Sequence, residues 1–158
     1  MSKIISESLR TTDGQTIHYD LYCHDHQQLI IVAHGFFNNK DSIHLKELEQ
    51  ALADQFDVLI MDFRGHGKSG GLFYWTSKEY LDLQAVLEHA KSSYKKIGVI
   101  GFSLLTSAKV IELIPRQLRS MNTRPQQFRR TLKPAYRFRQ GILKNFEISR
   151  DTVGYRTF

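Results

Sequence analysis

The stretch KIGVIGFSLLTSAKVIEL, Lys96 to Leu113, joins a short apolar run to a helix-forming segment through Gly101-Phe102-Ser103-Leu104-Leu105. A continuous apolar run of this length is what a strand covered on both faces requires. A serine at a sharp strand-to-helix turn has its hydroxyl lifted above the strand ends, the setting of a nucleophile elbow. The helix that follows turns its unpaired N–H groups towards negative charge. Ser103 is therefore a candidate nucleophile. The Leu104 N–H is a candidate donor to an oxyanion, which needs donors already in place. Gly101 and Phe102 support the turn.

The elements upstream lead into this turn. KIISESLR and TIHYDLYCH alternate apolar and polar residues around Thr12-Asp13-Gly14, which predicts a hairpin of half-buried strands. QLIIVAH, Gln28 to His34, and FDVLIMD, Phe56 to Asp62, predict two more buried strands. Ser42 is placed as a helix N-cap, and Leu45, Leu48 and Leu52 follow at helical spacing. A second helix is expected from Thr76, with Tyr80, Leu83, Val86 or Leu87, and Ala90 on one face, and a third over Leu104 to Ile114. Buried strands alternating with amphipathic helices predict an α/β fold, a mostly parallel sheet with helices on both faces.

Charge divides the chain in two. Residues 1–114 carry eleven Lys and Arg against fourteen Asp and Glu, a net of −3. Residues 115–158 carry eleven against two, a net of +9, and nine of those eleven are Arg where the first part has nine Lys and two Arg. Pro115, Pro125 and Pro134 punctuate this tail and its apolar residues hold no period, so a poorly ordered or partly helical segment is expected. The chain has no run near 18 apolar residues and no apolar leader at its N-terminus, so no membrane span and no secretory signal are expected. A single cysteine, Cys23, fits a reducing compartment, and a cytoplasmic location is the expectation.

Three stretches now agree in order and spacing: VAHGFFNNKDS, MDFRGHGKSGG and IGVIGFSLL. Together they resemble the α/β-hydrolase family, and most nearly its serine aminopeptidase-like and lipase-like branch, over roughly residues 15–114. In that family H-G-F begins the oxyanion loop, D-x-R-G-H-G-x-S follows the next strand, and G-x-S-x-G holds the nucleophile. The resemblance implies a truncated α/β-hydrolase fold over residues 1–114. It implies hydrolysis of esters, thioesters or small amides through Ser103, with the backbone N–H groups of Phe36 and Leu104 as the oxyanion hole. His34 and Gly35 would support that loop. The partner implied is a small acyl substrate, with no cofactor and no metal.

The chain departs from the family pattern at two places. Leu105 replaces the last glycine of the elbow, where an unfavourable fit costs about 1–3 kcal/mol. The family also orders its triad as serine, acid, histidine along the chain. All seven histidines here (His18, His24, His26, His34, His44, His66 and His89) precede Ser103, and only Glu147 and Asp151 supply acids in the tail. A serine needs a base within hydrogen-bond reach to become a good nucleophile. The expectation is a truncated chain, inactive or weakly active, whose tail reflects a shifted reading frame or degraded gene. The strand ending at Gly101, central in the family, would then be an apolar edge open to self-association.

Other motifs carry less. GHGKS, Gly65 to Ser69, falls short of a phosphate-binding loop because Asp62 stands where a glycine is needed. His24 and His26 share a strand face, but no further cluster completes a metal site, and a solvated turn is expected. Arg64 and His66 are expected to organise the loop after the fourth strand. Phe73-Tyr74-Trp75 either lines a pocket or packs the loop. The Arg-rich tail predicts non-specific polyanion affinity, a binding role being the alternative to catalysis, without a specific nucleic-acid partner.

Overall fold

The computed structural model describes residues 3–75 and 77–102. Ser103, Leu104, Leu105, the expected third helix and the basic tail lie outside the described residues.

The chain runs β1 (Lys3–Arg10), β2 (Thr16–Cys23), β3 (Gln28–Ala33), α1 (Ile43–Leu52), β4 (Asp57–Met61), α2 (Glu79–Ala90) and β5 (Lys96–Gly101). The five strands form one mixed sheet in the order β1-β2-β4-β3-β5. The hairpin pairs antiparallel, and β2 runs antiparallel beside β4. β3 lies parallel between β4 and β5. Among the described residues β5 ends the sheet.

Alternation along the buried strands sorts their side chains between two cores. Leu29, Ile31 and Ala33 of β3 join Leu59, Met61, Ile97 and Val99 beneath Leu83, Val86, Leu87 and Ala90 of α2. Ile30 and Val32 join Val58, Ile60 and Ile100 beneath Leu45, Leu48 and Leu52 of α1. Strands buried on both faces have no room for polar alternation, which is why QLIIVA and DVLIM read as unbroken apolar runs. The two helices cover opposite faces because the chain steps from β3 to β4 and then back across β3 to β5. Right-handed crossovers in opposite directions put their helices on opposite sides.

α2 begins at Glu79, three residues later than the spacing suggests. The buried Glu79 carboxylate accepts the N–H groups of Tyr74 (2.6 Å) and Lys78 (3.3 Å), and this holds the preceding residues in a turn. Ser42 is the N-cap of α1 by position, though its side chain makes no capping bond.

Candidate active site

The reversal of strand order at β3 makes the ends of β3 and β5 a topological switch point. Ligands of open α/β sheets bind in the crevice outside such strand ends. The two segments that leave here are His34-Gly35-Phe36 from β3 and Phe102 from β5. They are drawn together by a hydrogen bond from the Phe102 N–H to the Ala33 carbonyl (3.1 Å). Phe102 packs against the α1-side core. Gly101 and Phe102 are half-buried. Ser103 follows directly in sequence.

His34 is fully buried and both ring nitrogens are engaged. Nδ1–H donates to the Gly35 carbonyl (2.7 Å), and Nε2 accepts the Phe63 N–H (3.1 Å). That pair of bonds requires the neutral ring with its proton on Nδ1. Burial pushes its pKa below the ordinary histidine value, opposed by the bond to Gly35. His34 thus ties the loop after β3 to the loop after β4, and its nitrogens are committed to that task. Phe36 is half-buried, and among the described residues no acceptor takes its N–H. A backbone donor without a partner beside a strand end is the geometry an oxyanion hole uses.

Asp62 fastens the same two loops. Its carboxylate accepts the Lys40 N–H (2.6 Å) from one and the Lys68 N–H (2.9 Å) from the other. A Cβ at Gly67, where φ is +52°, would collide with that carboxylate, so the loop closes this way only with glycine. The GHGKS segment is already wrapped around an internal anion, which is the physical reason it is not a phosphate loop.

Arg64 is buried between two carboxylates. Nε and Nη2 donate to Asp82 Oδ1 (2.9 and 2.7 Å), while Nη1 and Nη2 donate to Asp13 (2.7 and 3.0 Å). The Arg64 N–H donates to the second Asp82 oxygen (2.9 Å). The guanidinium beside Asp13 lowers that carboxyl to about 2, against a smaller opposing effect of burial. The hairpin turn, α2 and the loop after β4 are joined at this one cation. His66, two residues on, has Nδ1 against the Arg64 carbonyl (3.1 Å) and its ring 5.0 Å from His34.

Lys40 is buried and pairs with Asp20 (2.7 Å), which also accepts the Ser6 hydroxyl (2.7 Å). Burial opposes the charge on both partners, and their mutual attraction outweighs it, raising Lys40 and lowering Asp20. Asp62 opens the D-x-R-G-H-G-x-S stretch, whereas neither this pair nor the roles of Asp13 and Asp82 leave a local signal in the sequence.

An aromatic group surrounds Phe36 in the loop after β3. The Phe36 ring stacks on Phe73 (4.9 Å between centroids) and contacts Phe37 (3.9 Å) and Trp75 (5.1 Å). Phe37 and Trp75 hold left-handed backbone, with φ of 58° and 52°, and are 89% and 73% exposed. Bulky residues adopt that conformation rarely and at a cost. Phe73 packs into the α2-side core, while Tyr74 and Trp75 face outward.

His24 and His26, expected in a solvated turn, are half-buried with their rings held at α1. His24 Nε2 meets Glu49 (2.6 Å), and His26 Nε2 meets the Ala53 carbonyl (2.8 Å). Among the described residues no group of three potential ligands could hold a metal ion. No described helix is long and apolar enough to cross a membrane.

Residues 28–104 match the family model described as alpha/beta hydrolase fold. No protein with a curated description matches. Among solved structures, the esterase Pf2001 of Pyrococcus furiosus is similar at 30% identity over 65% of this chain and 44% of its own, with a TM-score of 0.62. Est1E of Butyrivibrio proteoclasticus, solved with ferulic acid bound, is 23% identical over 72% of this chain and 49% of its own (TM-score 0.63). An alpha-beta serine hydrolase homologue from Coxiella burnetii is 20% identical over 72% of this chain and 58% of its own (TM-score 0.61). The last two establish likeness of fold alone. The chain spans under half the length of Pf2001.

Proposed function

With residues 28–104 belonging to the α/β-hydrolase fold family, we propose that this chain carries the nucleophile half of a serine hydrolase acting on esters, thioesters or small amides. Ser103 is the nucleophile, and the N–H groups of Phe36 and Leu104 receive the oxyanion. The observation that carries this reading is the junction of the two strand ends. The Phe102 N–H bonds to Ala33, so the residue before Ser103 sits beside the loop whose Phe36 N–H has no described acceptor. In the reaction Ser103 Oγ bonds to the acyl carbon, the carbonyl electrons move onto oxygen, and the serine proton must go to a base.

That base is the weak point. His34 is neutral with both nitrogens committed, and no histidine follows Ser103. On its own this 158-residue chain is proposed to be inactive or slow, since a serine without its base keeps only what binding and the oxyanion hole provide. That residue of catalysis amounts to about 10³–10⁴ over water in triad-deleted enzymes. Labelling by a fluorophosphonate tests the reading: slow modification confined to Ser103, lost in Ser103→Ala, is expected. Absence of modification at Ser103 overturns it.

A second reading rests on the net charge of +9 over residues 115–158. It makes the chain a non-catalytic remnant whose tail contacts polyanions without sequence preference. Salt-sensitive binding to heparin that disappears on deleting residues 115–158, together with no labelling, would favour it. The single cysteine supports a cytoplasmic protein. Self-association through β5 is proposed because that strand ends the sheet among the described residues.

A further inference from the structure

We propose that Phe37, Phe73 and Trp75, gathered on the Phe36 ring, form a platform that binds the aromatic ring of an arylalkanoyl ester. The inference rests on the reading of Phe36 as an oxyanion donor, and it adds the substrate class.

Three observations converge. Phe37 and Trp75 come from different loops, after β3 and after β4, yet both rings meet Phe36. Each is held in left-handed backbone while exposing most of its surface to water. A loop relieved of that strain would free the rings, and burial gives no reason to retain it, since neither ring is in the core. Strain of this kind collects at ligand clamps and active sites. Exposed apolar groups gathered in one place likewise mark binding surfaces.

Location selects the ligand. Phe36 supplies both the central ring of the platform and the N–H that faces the carbonyl oxygen. A group docked on the rings is therefore held within a few bonds of the reacting carbonyl. The set consists of aromatic faces and edges, with His66 closing one side at 6.0 Å from Phe36 and 5.2 Å from Phe73. Aromatic rings favour offset or edge-to-face partners beyond what area alone gives. An aryl group one or two methylenes from the carbonyl suits that geometry better than an aliphatic chain.

Trp75 is the only tryptophan in the chain, so its fluorescence reports on the platform directly. The test titrates the full chain with 3-phenylpropionate and with 3-cyclohexylpropionate, the saturated analogue. Saturable change of Trp75 emission is expected, with the phenyl acid binding about threefold or more tighter than the cyclohexyl acid. Phe37→Ala, at an exposed position, is expected to weaken the phenyl acid and leave Trp75 as reporter. Equal binding of the two acids, or binding unchanged by Phe37→Ala, overturns the proposal. So does an emission spectrum already that of a covered tryptophan and unmoved by either acid, which would mean that a second copy or another segment of this chain occupies the rings. The titration is repeated on Ser103→Ala. Binding there with no fluorophosphonate labelling of the unsubstituted chain would sink the hydrolase reading and spare the platform. Labelling without binding would do the reverse.

Discussion

The two ends of β3 are built on opposite terms. At its N-terminal end the His24-Asp25-His26 turn is fastened through the backbone and the imidazoles of its two histidines. Asp57 accepts the N–H groups of His24 (2.7 Å) and His26 (3.1 Å) and the Tyr94 hydroxyl (2.6 Å), and both imidazoles reach partners on or beside α1. At its C-terminal end the Phe36 N–H has no described acceptor, and two aromatics are strained and exposed. Histidines beside an acid attract attention in a sequence, yet two imidazoles bonded to Glu49 and to the Ala53 carbonyl are a fastening. Asp25 is also left-handed (φ 62°), a conformation that aspartate tolerates, whereas the Phe36 N–H without an acceptor among the described residues and the exposed left-handed aromatics distinguish the other end.

The largest expected effect comes from a saturated group at the open end. Arg64→Ala leaves Asp13 and the buried Asp82 without their cation, and a loss of about 3–5 kcal/mol is expected in urea unfolding. A loss below 1 kcal/mol would mean that the loop after β4 does not depend on the pair, and the contrast between the two ends would weaken. Asp57→Ala should cost about 3 kcal/mol by stranding two N–H groups and a hydroxyl, while leaving fluorophosphonate labelling at Ser103 unchanged. If labelling changed as well, the two ends would not be separable.

Acid provides a gentler probe. Asp13 is lowered to about 2 in the folded chain from an ordinary value of 3.8. Its contribution is fully present above the unfolded value and is lost as pH falls through about 2. Asp13→Asn should therefore flatten the acid limb of stability against pH and change little of its slope near neutrality. An unchanged acid limb would contradict the Asp13–Arg64 bond. The smallest effect is expected at Phe37→Gly, which relieves the left-handed strain at an exposed site. A gain of up to about 1 kcal/mol is expected, offset in part by glycine's entropy. A clear loss would show that the Phe37 ring stabilises the fold and is not held there for a ligand.

Much of the fold is legible in the sequence because burial on both faces writes itself into unbroken apolar runs. β3, β4 and β5 fall where QLIIVA, DVLIM and KIGVIG put them. The spacing of Leu45, Leu48 and Leu52 fixes the inward face of α1. The start of α2 was less visible, since Glu79 spends its carboxylate on the turn before it. Arg64 stands out within its motif, but its partners lie 51 and 18 residues away and nothing local announces Asp13 or Asp82. The same holds for Lys40, which sits in an apparently polar loop and is buried against Asp20. Strain at Phe37 and Trp75 depends on two loops meeting over Phe36, which only the assembled fold reveals. Ser103 and Leu104 rest on sequence alone, since both lie outside the described residues.

The most direct test of the account is mass-spectrometric mapping of a fluorophosphonate adduct on the 158-residue chain. The account predicts slow labelling at Ser103 alone, abolished by Ser103→Ala and absent after unfolding in urea. Labelling that misses Ser103, or that persists at the same rate in urea, would contradict it and leave a hydrolase fold without its chemistry.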